Sequence, residues 1–125
     1  VELAPGAQGG FHMWLHYRVQ GATGPVVVKR VADKLAPDGA RARVLTTQLN
    51  QTFLAGEVYQ TEYPIPSFMC PSPIGVNIID QTLELTLRLE TLAGAFLGER
   101  RARVVIRCPP AGDPQREFCL MICAG

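Results

Sequence analysis

The sequence has no apolar run of the roughly 18–20 residues that a membrane-spanning helix needs, so we expect no such helix. Its first residues, VELAPGAQGG, lack the basic start and apolar core of a signal peptide, so no signal sequence is expected within this chain. Net charge is also small, because 12 Lys and Arg residues against 11 Asp and Glu residues give +1 at pH 7. That balance leaves no basic footprint for nucleic acid, and no nucleic-acid partner is expected.

Residues suited to catalysis are scarce. The chain has 2 histidines, and neither has a carboxylate near it in the sequence. Its serines, Ser67 and Ser72, both lie in a proline-rich stretch and not in a nucleophile elbow. We therefore predict a protein that is not an enzyme and that carries no cofactor.

Helical periodicity is absent as well, and alternation takes its place. In TLELTLRLETL, residues 82–92, every second residue from Leu83 to Leu89 is leucine and the intervening residues are polar. Successive side chains of a strand point to opposite faces, so this pattern predicts a sheet with one dry and one wet side. Similar segments predict an all-β fold, an antiparallel immunoglobulin-like β-sandwich of about seven strands, with a small closed barrel as the alternative. No segment has the character of a linker, so residues 1–125 are expected to form a single domain.

Four cysteines, Cys70, Cys108, Cys119 and Cys123, lie in the second half of the chain. An even number among many prolines indicates two disulfides and a secreted, periplasmic or cell-surface location. If 117–123 is a strand, Cys119 and Cys123 lie about 13 Å apart and cannot bond each other. We prefer Cys108–Cys119 with Cys70–Cys123. Exchanged partners stay open, as does a Cys119–Cys123 bond if the segment curls.

Two histidines and the single tryptophan lie together in FHMWLHYRV, residues 11–19. Read as a strand, this segment places His12, Trp14, His16 and Arg18 in one row, opposite an apolar row. His12 and His16 would then be about 13 Å apart, which is too far to bind one metal ion without help from another strand. Copper or zinc binding by the two histidines is kept as an alternative. A binding surface of Trp14 and Arg18, for protein or carbohydrate, is another.

The opening GAQGGFHMWL, in which Gln-Gly-Gly precedes an aromatic residue, His, one residue and Trp, also carries a family resemblance. It resembles the start of uncharacterised secreted or lipoprotein-like β-sandwich proteins of myxobacteria and their relatives, and LELTLRLETLAGAFLGERRARVVIRC is similar to their tail. The resemblance implies an extracytoplasmic β-sandwich and no enzymatic activity. Those proteins often have an Asp-x-x-Gly turn, whereas the loop TLAGAFLGER here has no aspartate. Apart from the resemblance, the paired glycines Gly9 and Gly10 predict a bend or a close backbone approach.

Together these observations predict a structural or interaction module. Its partner would be another protein or a second copy of the chain, in a cell-surface or extracellular assembly. Exposed strand edges can pair between copies, and LELTLRLETL is the preferred segment for such pairing if it lies at an edge. Carbohydrate binding through Trp14 and metal binding through His12 and His16 are the alternatives.

Overall fold

The computed structural model describes residues 1–53, 58–60 and 65–125. Nine strands and one helix occur in these residues. The elements are β1 (Ala4–Pro5), β2 (Phe11–Leu15), β3 (Arg18–Gln20), β4 (Gly24–Leu35), β5 (Arg41–Phe53), β6 (Val58–Gln60), β7 (Ile65–Cys70), β8 (Thr82–Thr91), β9 (Phe96–Val105) and α1 (Arg116–Cys123). The predicted all-β, sandwich-like class is confirmed. That the whole chain forms one domain stays a prediction.

The largest sheet has four antiparallel strands in the order β5-β4-β8-β9. Its inner face carries the leucines of β8 together with Val26 and Val28 of β4, and its outer face carries charged side chains, as alternation requires. Because β4 and β9 both pair with β8, the segment LELTLRLETL is central. The condition for pairing between copies, that this segment lies at an edge, is therefore not met, since its backbone groups are already used within the sheet.

The segment predicted as one strand over 11–19 is divided between two small sheets. β2 pairs with β1 and β7, whereas β3 pairs with β6. His16 and Tyr17 lie at the break between them. The predicted close approach at the paired glycines occurs: a Cβ at Gly10 would lie 2.5 Å from the carbonyl oxygen of Cys70, so only glycine fits where β2 begins beside β7.

The buried side chains form two clusters. The larger one joins Phe11 and Met13 of β2 to Leu83 of β8 and to the cysteines near α1. The smaller one contains Val19, Val26, Val28 and Phe53. Between them the inner face of the four-stranded sheet is only partly covered, because Leu85 and Leu87 are half-buried. This gap in the core is where the cleft described below is found.

The strand predicted over 117–123 is wrong, because this segment forms the helix α1. A short apolar run does not distinguish a strand from a buried helix by its periodicity. Asp113 precedes the helix and its side chain accepts a hydrogen bond from the backbone N–H of Gln115 at 2.8 Å. Cys119 and Cys123 are fully buried, which fits the i, i+4 spacing of one helix face. In the part of the chain that the structure describes, no helix has the length and apolar character needed to cross a membrane.

Candidate functional site

The four residues predicted as one polar row do not form one surface. His12 and Trp14 lie in β2, His16 lies at the break after it, and Arg18 lies in β3, which belongs to another sheet. Trp14 is 53% exposed, and the edge of its indole meets the imidazole of His12 with 4.4 Å between ring centroids. An exposed Trp14 is therefore present, but it stands beside His12 and not beside Arg18.

His12 is buried, although the strand pattern placed it on the polar face. It is only 5% exposed, because Trp14 lies on one side and Phe68 of β7 lies 5.9 Å away, centroid to centroid. Both of its ring nitrogens are buried and make no hydrogen bond to the described residues. The alternation itself is kept. Trp14 and Phe68 bury His12 on the outside of the small sheet, and the pattern of a single strand does not reveal the contact with Phe68.

The described residues contain one group of three potential metal ligands whose ligand atoms lie within 4.8 Å of one another, namely Cys108, Cys119 and Cys123. Their sulfurs are already bonded, because Cys70 pairs with Cys123 and Cys108 pairs with Cys119. This is the pairing preferred from the sequence, but the reason given for it was wrong. In α1 the sulfurs of Cys119 and Cys123 are 3.7 Å apart and not 13 Å, so both bridges meet at one buried point.

Charged side chains on the outer face of the large sheet form a network of ion pairs. Glu84 of β8 is its best-connected carboxylate, with Arg41 at 2.6 Å and with Arg101 and Arg103 each at 3.6 Å. The hydrogen bond from Arg41, together with the positive charge of the three arginines, lowers the pKa of Glu84 despite its burial. Each of these arginines therefore already has a carboxylate partner.

Glu90 is the second centre of this network. Lys29 Nζ, from the neighbouring strand β4, lies 2.7 Å from its carboxylate. Arg88 Nε, from the same strand as Glu90, also lies 2.7 Å from it. Hydrogen bonds from Lys29 and Arg88 lower the pKa of Glu90. The cations of the outer face are thus paired with carboxylates. This solvated face therefore carries no strong electrostatic field of one sign.

The inner face of the same sheet carries two further arginines, Arg30 and Arg100. β4 aligns Arg30 with Leu87 of β8, and Leu87 in turn aligns with Arg100 of β9. On the other side of Arg30, β5 contributes Thr47. These four residues form one rung across the sheet, called here the arginine rung: Thr47, Arg30, Leu87 and Arg100.

Arg30 connects the large sheet to β7. Its guanidinium donates a hydrogen bond to Ser67 Oγ at 2.9 Å and another to the carbonyl oxygen of Pro66 at 3.3 Å. Burial lowers the pKa of Arg30, with a smaller opposing effect from Tyr17. Neither Arg30 nor Arg100 pairs with a carboxylate of the described residues. In the same rung, Thr47 Oγ1 is buried without a hydrogen-bond partner in this part of the chain.

A cleft of about 350 Å³ opens at the arginine rung, between the large sheet and β2 with its following turn. Apolar side chains make most of its wall. They are Met13, Leu15, Ala32, Leu45, Leu85 and Leu87. Arg18, Arg30, Arg100 and Arg101 also line it, whereas no aspartate or glutamate of the described residues does. The cleft is therefore apolar along its walls and cationic at its polar positions.

The sequence interpretation did not find this cleft, although its alternation contains a signal. The inward row of β4 reads Val26, Val28, Arg30 and Ala32, so one charged residue interrupts an apolar series. β9 also contains the run Arg100, Arg101 and Arg103. Period two places Arg100 on the opposite side of β9 from Arg101 and Arg103. The pattern of a single strand does not reveal that Arg30 and Arg100 lie in the same rung of the sheet, with Leu87 between them.

Comparison of the chain with known protein families, with curated proteins and with solved structures finds no match.

Proposed function

We propose that this protein is a non-enzymatic extracytoplasmic module that binds a partner protein by accepting a strand at the edge of its large sheet. The two buried disulfides support the compartment, because such bonds persist in oxidising surroundings and are rare in the cytosol. A direct check is the protein mass with and without reductant after alkylation under native conditions. If all four sulfurs are alkylated without reductant, this part of the proposal fails.

The observation that carries the binding function is the edge of β9. This ten-residue strand ends the sheet order, and its outer edge has no pairing strand in the ranges that the structure describes. Beyond it the arrangement changes: the backbone N–H of Leu3 donates to the carbonyl oxygen of Arg107 at 2.8 Å. The N-terminal residues therefore already cover the continuation of this edge. A partner strand along residues 96–104 would extend the same row of backbone hydrogen bonds.

Charge on β9 indicates what kind of strand fits there. The strand FLGERRARVV contains three arginines and one glutamate, and Phe96 at its start is 57% exposed. Two copies pairing antiparallel through this segment would bring arginines close to arginines, which disfavours self-association. An extended acidic segment with an apolar residue near Phe96 has the complementary chemistry. The proposed partner is therefore a different protein that supplies an acidic strand.

Synthetic peptides test this proposal without knowledge of the partner. An extended peptide of alternating glutamate and valine should bind, whereas a lysine–valine peptide of equal length should not. The same acidic peptide, N-methylated at alternate residues on its pairing edge, keeps its charge but loses its backbone donors, so it should bind much more weakly. Binding is measured by fluorescence anisotropy, and the contact surface by amide chemical shifts.

The second edge of the sheet provides an internal control. β5 is also a long edge strand, but its second half, from 44 to 53, carries no charged residue. The acidic peptide should shift the amides of residues 96–104 and leave those of β5 unchanged. Equal binding of the N-methylated peptide, or shifts confined to β5, would contradict strand addition at β9. A concentration-dependent dimer in light scattering without peptide would favour self-association instead.

Carbohydrate binding is a second candidate that a specific observation favours. Trp14 and Phe68 are both about half exposed on the outside of the small sheet, on either side of the buried His12. Aromatic faces of this kind can stack on sugar rings. A glycan array with the Trp14→Ala variant tests it, and unchanged glycan binding in the variant would count against a role for Trp14. Metal binding by His12 and His16 gains no such support, because the nitrogens of His12 are covered by its neighbours.

A further inference from the structure

The inter-sheet cleft is too open and too apolar to be explained by packing alone. The leucines of β8 that face it, Leu85 and Leu87, stay half-buried although they lie on the inward side of a sandwich. Its volume of about 350 Å³ lies within the usual range of small-molecule sites.

The charges in the cleft are of one sign. Arg30 and Arg100 lie in the same rung of the sheet, two strands apart, so their Cα atoms are separated by roughly 10 Å. Arg101 also lines the cleft, but its guanidinium is on the outer face, where it pairs with Glu99 at 2.6 Å. Within residues 1–53, 58–60 and 65–125, the hydrogen bonds of Arg30 go to the hydroxyl of Ser67 and the carbonyl oxygen of Pro66, both of them neutral. A guanidinium has five N–H donors, so Arg30 retains donors for an anion.

The rung also contains a buried polar atom outside the cleft. Thr47 Oγ1 is shielded from solvent and has no hydrogen-bond partner among the described residues. It lies directly opposite Arg30 across the β4–β5 pair. Thr47 does not line the cleft and lies on the far side of Arg30 from Arg100, so its hydroxyl is not part of the proposed carboxylate site.

We propose that the inter-sheet cleft binds a small amphiphilic carboxylate, a medium-chain fatty acid in its chemistry, with the head group at the arginine rung. The carboxylate accepts hydrogen bonds from Arg30 and Arg100, because a planar guanidinium matches a carboxylate in geometry. The hydrocarbon chain lies along Leu85 and Leu87, which it removes from water. This site shares Arg100 with the strand-addition surface, but it uses the inward side chain of Arg100 and not the backbone edge of β9.

Binding of decanoate, measured by calorimetry below its micelle concentration, tests the site. Decanol and decyltrimethylammonium have the same chain with a neutral and a cationic head, and each should bind at least about tenfold more weakly than decanoate. Decanoate should also shift the methyl resonances of Leu85 and Leu87. Absence of decanoate binding, or equal binding of decanol, would overturn the proposal.

Variants locate the head group. Arg100→Gln lies on an exposed edge and should keep the fold while weakening decanoate binding by about tenfold. Arg30→Lys retains the charge but not the fork of donors, and should weaken binding to a smaller extent. Arg43→Gln on the outer face removes an arginine that does not line the cleft, and should leave binding unchanged. Equal losses in Arg100→Gln and Arg43→Gln, the two variants that remove a charge, would show a general charge effect and overturn the assignment. Because no peptide is present, the outcome is independent of strand addition.

Discussion

The two faces of the four-stranded sheet use arginine in opposite ways. On the outer face, Arg41, Arg101 and Arg103 surround Glu84, so every charge has a partner. On the inner face, Arg30 and Arg100 meet leucines, a hydroxyl and a carbonyl oxygen, but no carboxylate of the described residues. The same residue type therefore stabilises the protein on one side and leaves a site for an anion on the other. For a small anion, the pairing of the arginines and not their number distinguishes the cleft from the outer face.

Loss of the Cys70–Cys123 disulfide, which joins β7 to α1 on the inner side of the sheet, is expected to lower the unfolding free energy most. Cys70 and Cys123 are separated by 53 residues, so the Cys70→Ser, Cys123→Ser variant should lose about 4 kcal/mol of unfolding free energy. The Cys108–Cys119 bond closes a loop of separation 11 and should contribute about 3 kcal/mol. Chemical denaturation measures both. A larger loss for the shorter loop would contradict this ranking.

Truncation of the inner leucines comes next. Leu83 is completely buried in the larger core cluster, so Leu83→Ala should cost about 3 kcal/mol through lost burial and a residual cavity. Thr86→Ala lies on the outer face of the same strand and should change stability by less than about 0.5 kcal/mol. The two variants, compared by urea unfolding, separate the dry face from the wet one. Equal costs would show that the faces are assigned incorrectly.

A smaller difference is expected between the two inner arginines. Arg30→Met removes the hydrogen bonds to Ser67 and Pro66 and should cost about 1–2 kcal/mol. Arg100→Met removes no such bond and places an apolar chain at the rim of the cleft. Its effect should stay within about 0.5 kcal/mol. Thermal unfolding distinguishes them, and a large loss in Arg100→Met would reveal a structural partner that the inner face is not expected to contain.

Acid titration should weaken the outer face without involving the cleft. The pKa values of Glu84 and Glu90 are lowered by their cationic partners, so their contribution to stability is complete above the unfolded value of about 4.3. It should be lost as the pH falls through the lower pKa values of the folded protein. The melting temperature should therefore decline below about pH 4, and less steeply in Glu84→Gln. A variant with the same acid profile as the wild type would contradict the role of this carboxylate.

How much of this could be predicted from the sequence depends on the range of the interaction. The alternation of Leu83 to Leu89 is local, and it correctly predicts the two faces of β8. The helix at 116–123 was missed because the short apolar run 118–123 fits a strand or a helix equally well, and the decisive contacts come from Cys70 and Cys108, outside this segment. The burial of His12 was missed for the same reason, since Phe68 covers it from β7.

The cleft depended on the strand order. A single strand shows that Arg30 lies in an apolar row, but only the order β5-β4-β8-β9 places Arg100 in the same rung. The break between β2 and β3 leaves part of the inner face uncovered, and no local pattern over residues 11–19 predicted it. The site is thus formed by residues whose significance appears only after the sheet is assembled.

One spectrum tests the central comparison most directly. The Nε–Hε resonances of all arginines can be followed in a two-dimensional nitrogen–proton NMR experiment during a titration with decanoate. If the two faces differ as described, Arg30 and Arg100 shift and saturate, whereas Arg41, Arg43 and Arg88 on the outer face keep their positions. Shifts on the outer face, or none on the inner face, would contradict the account.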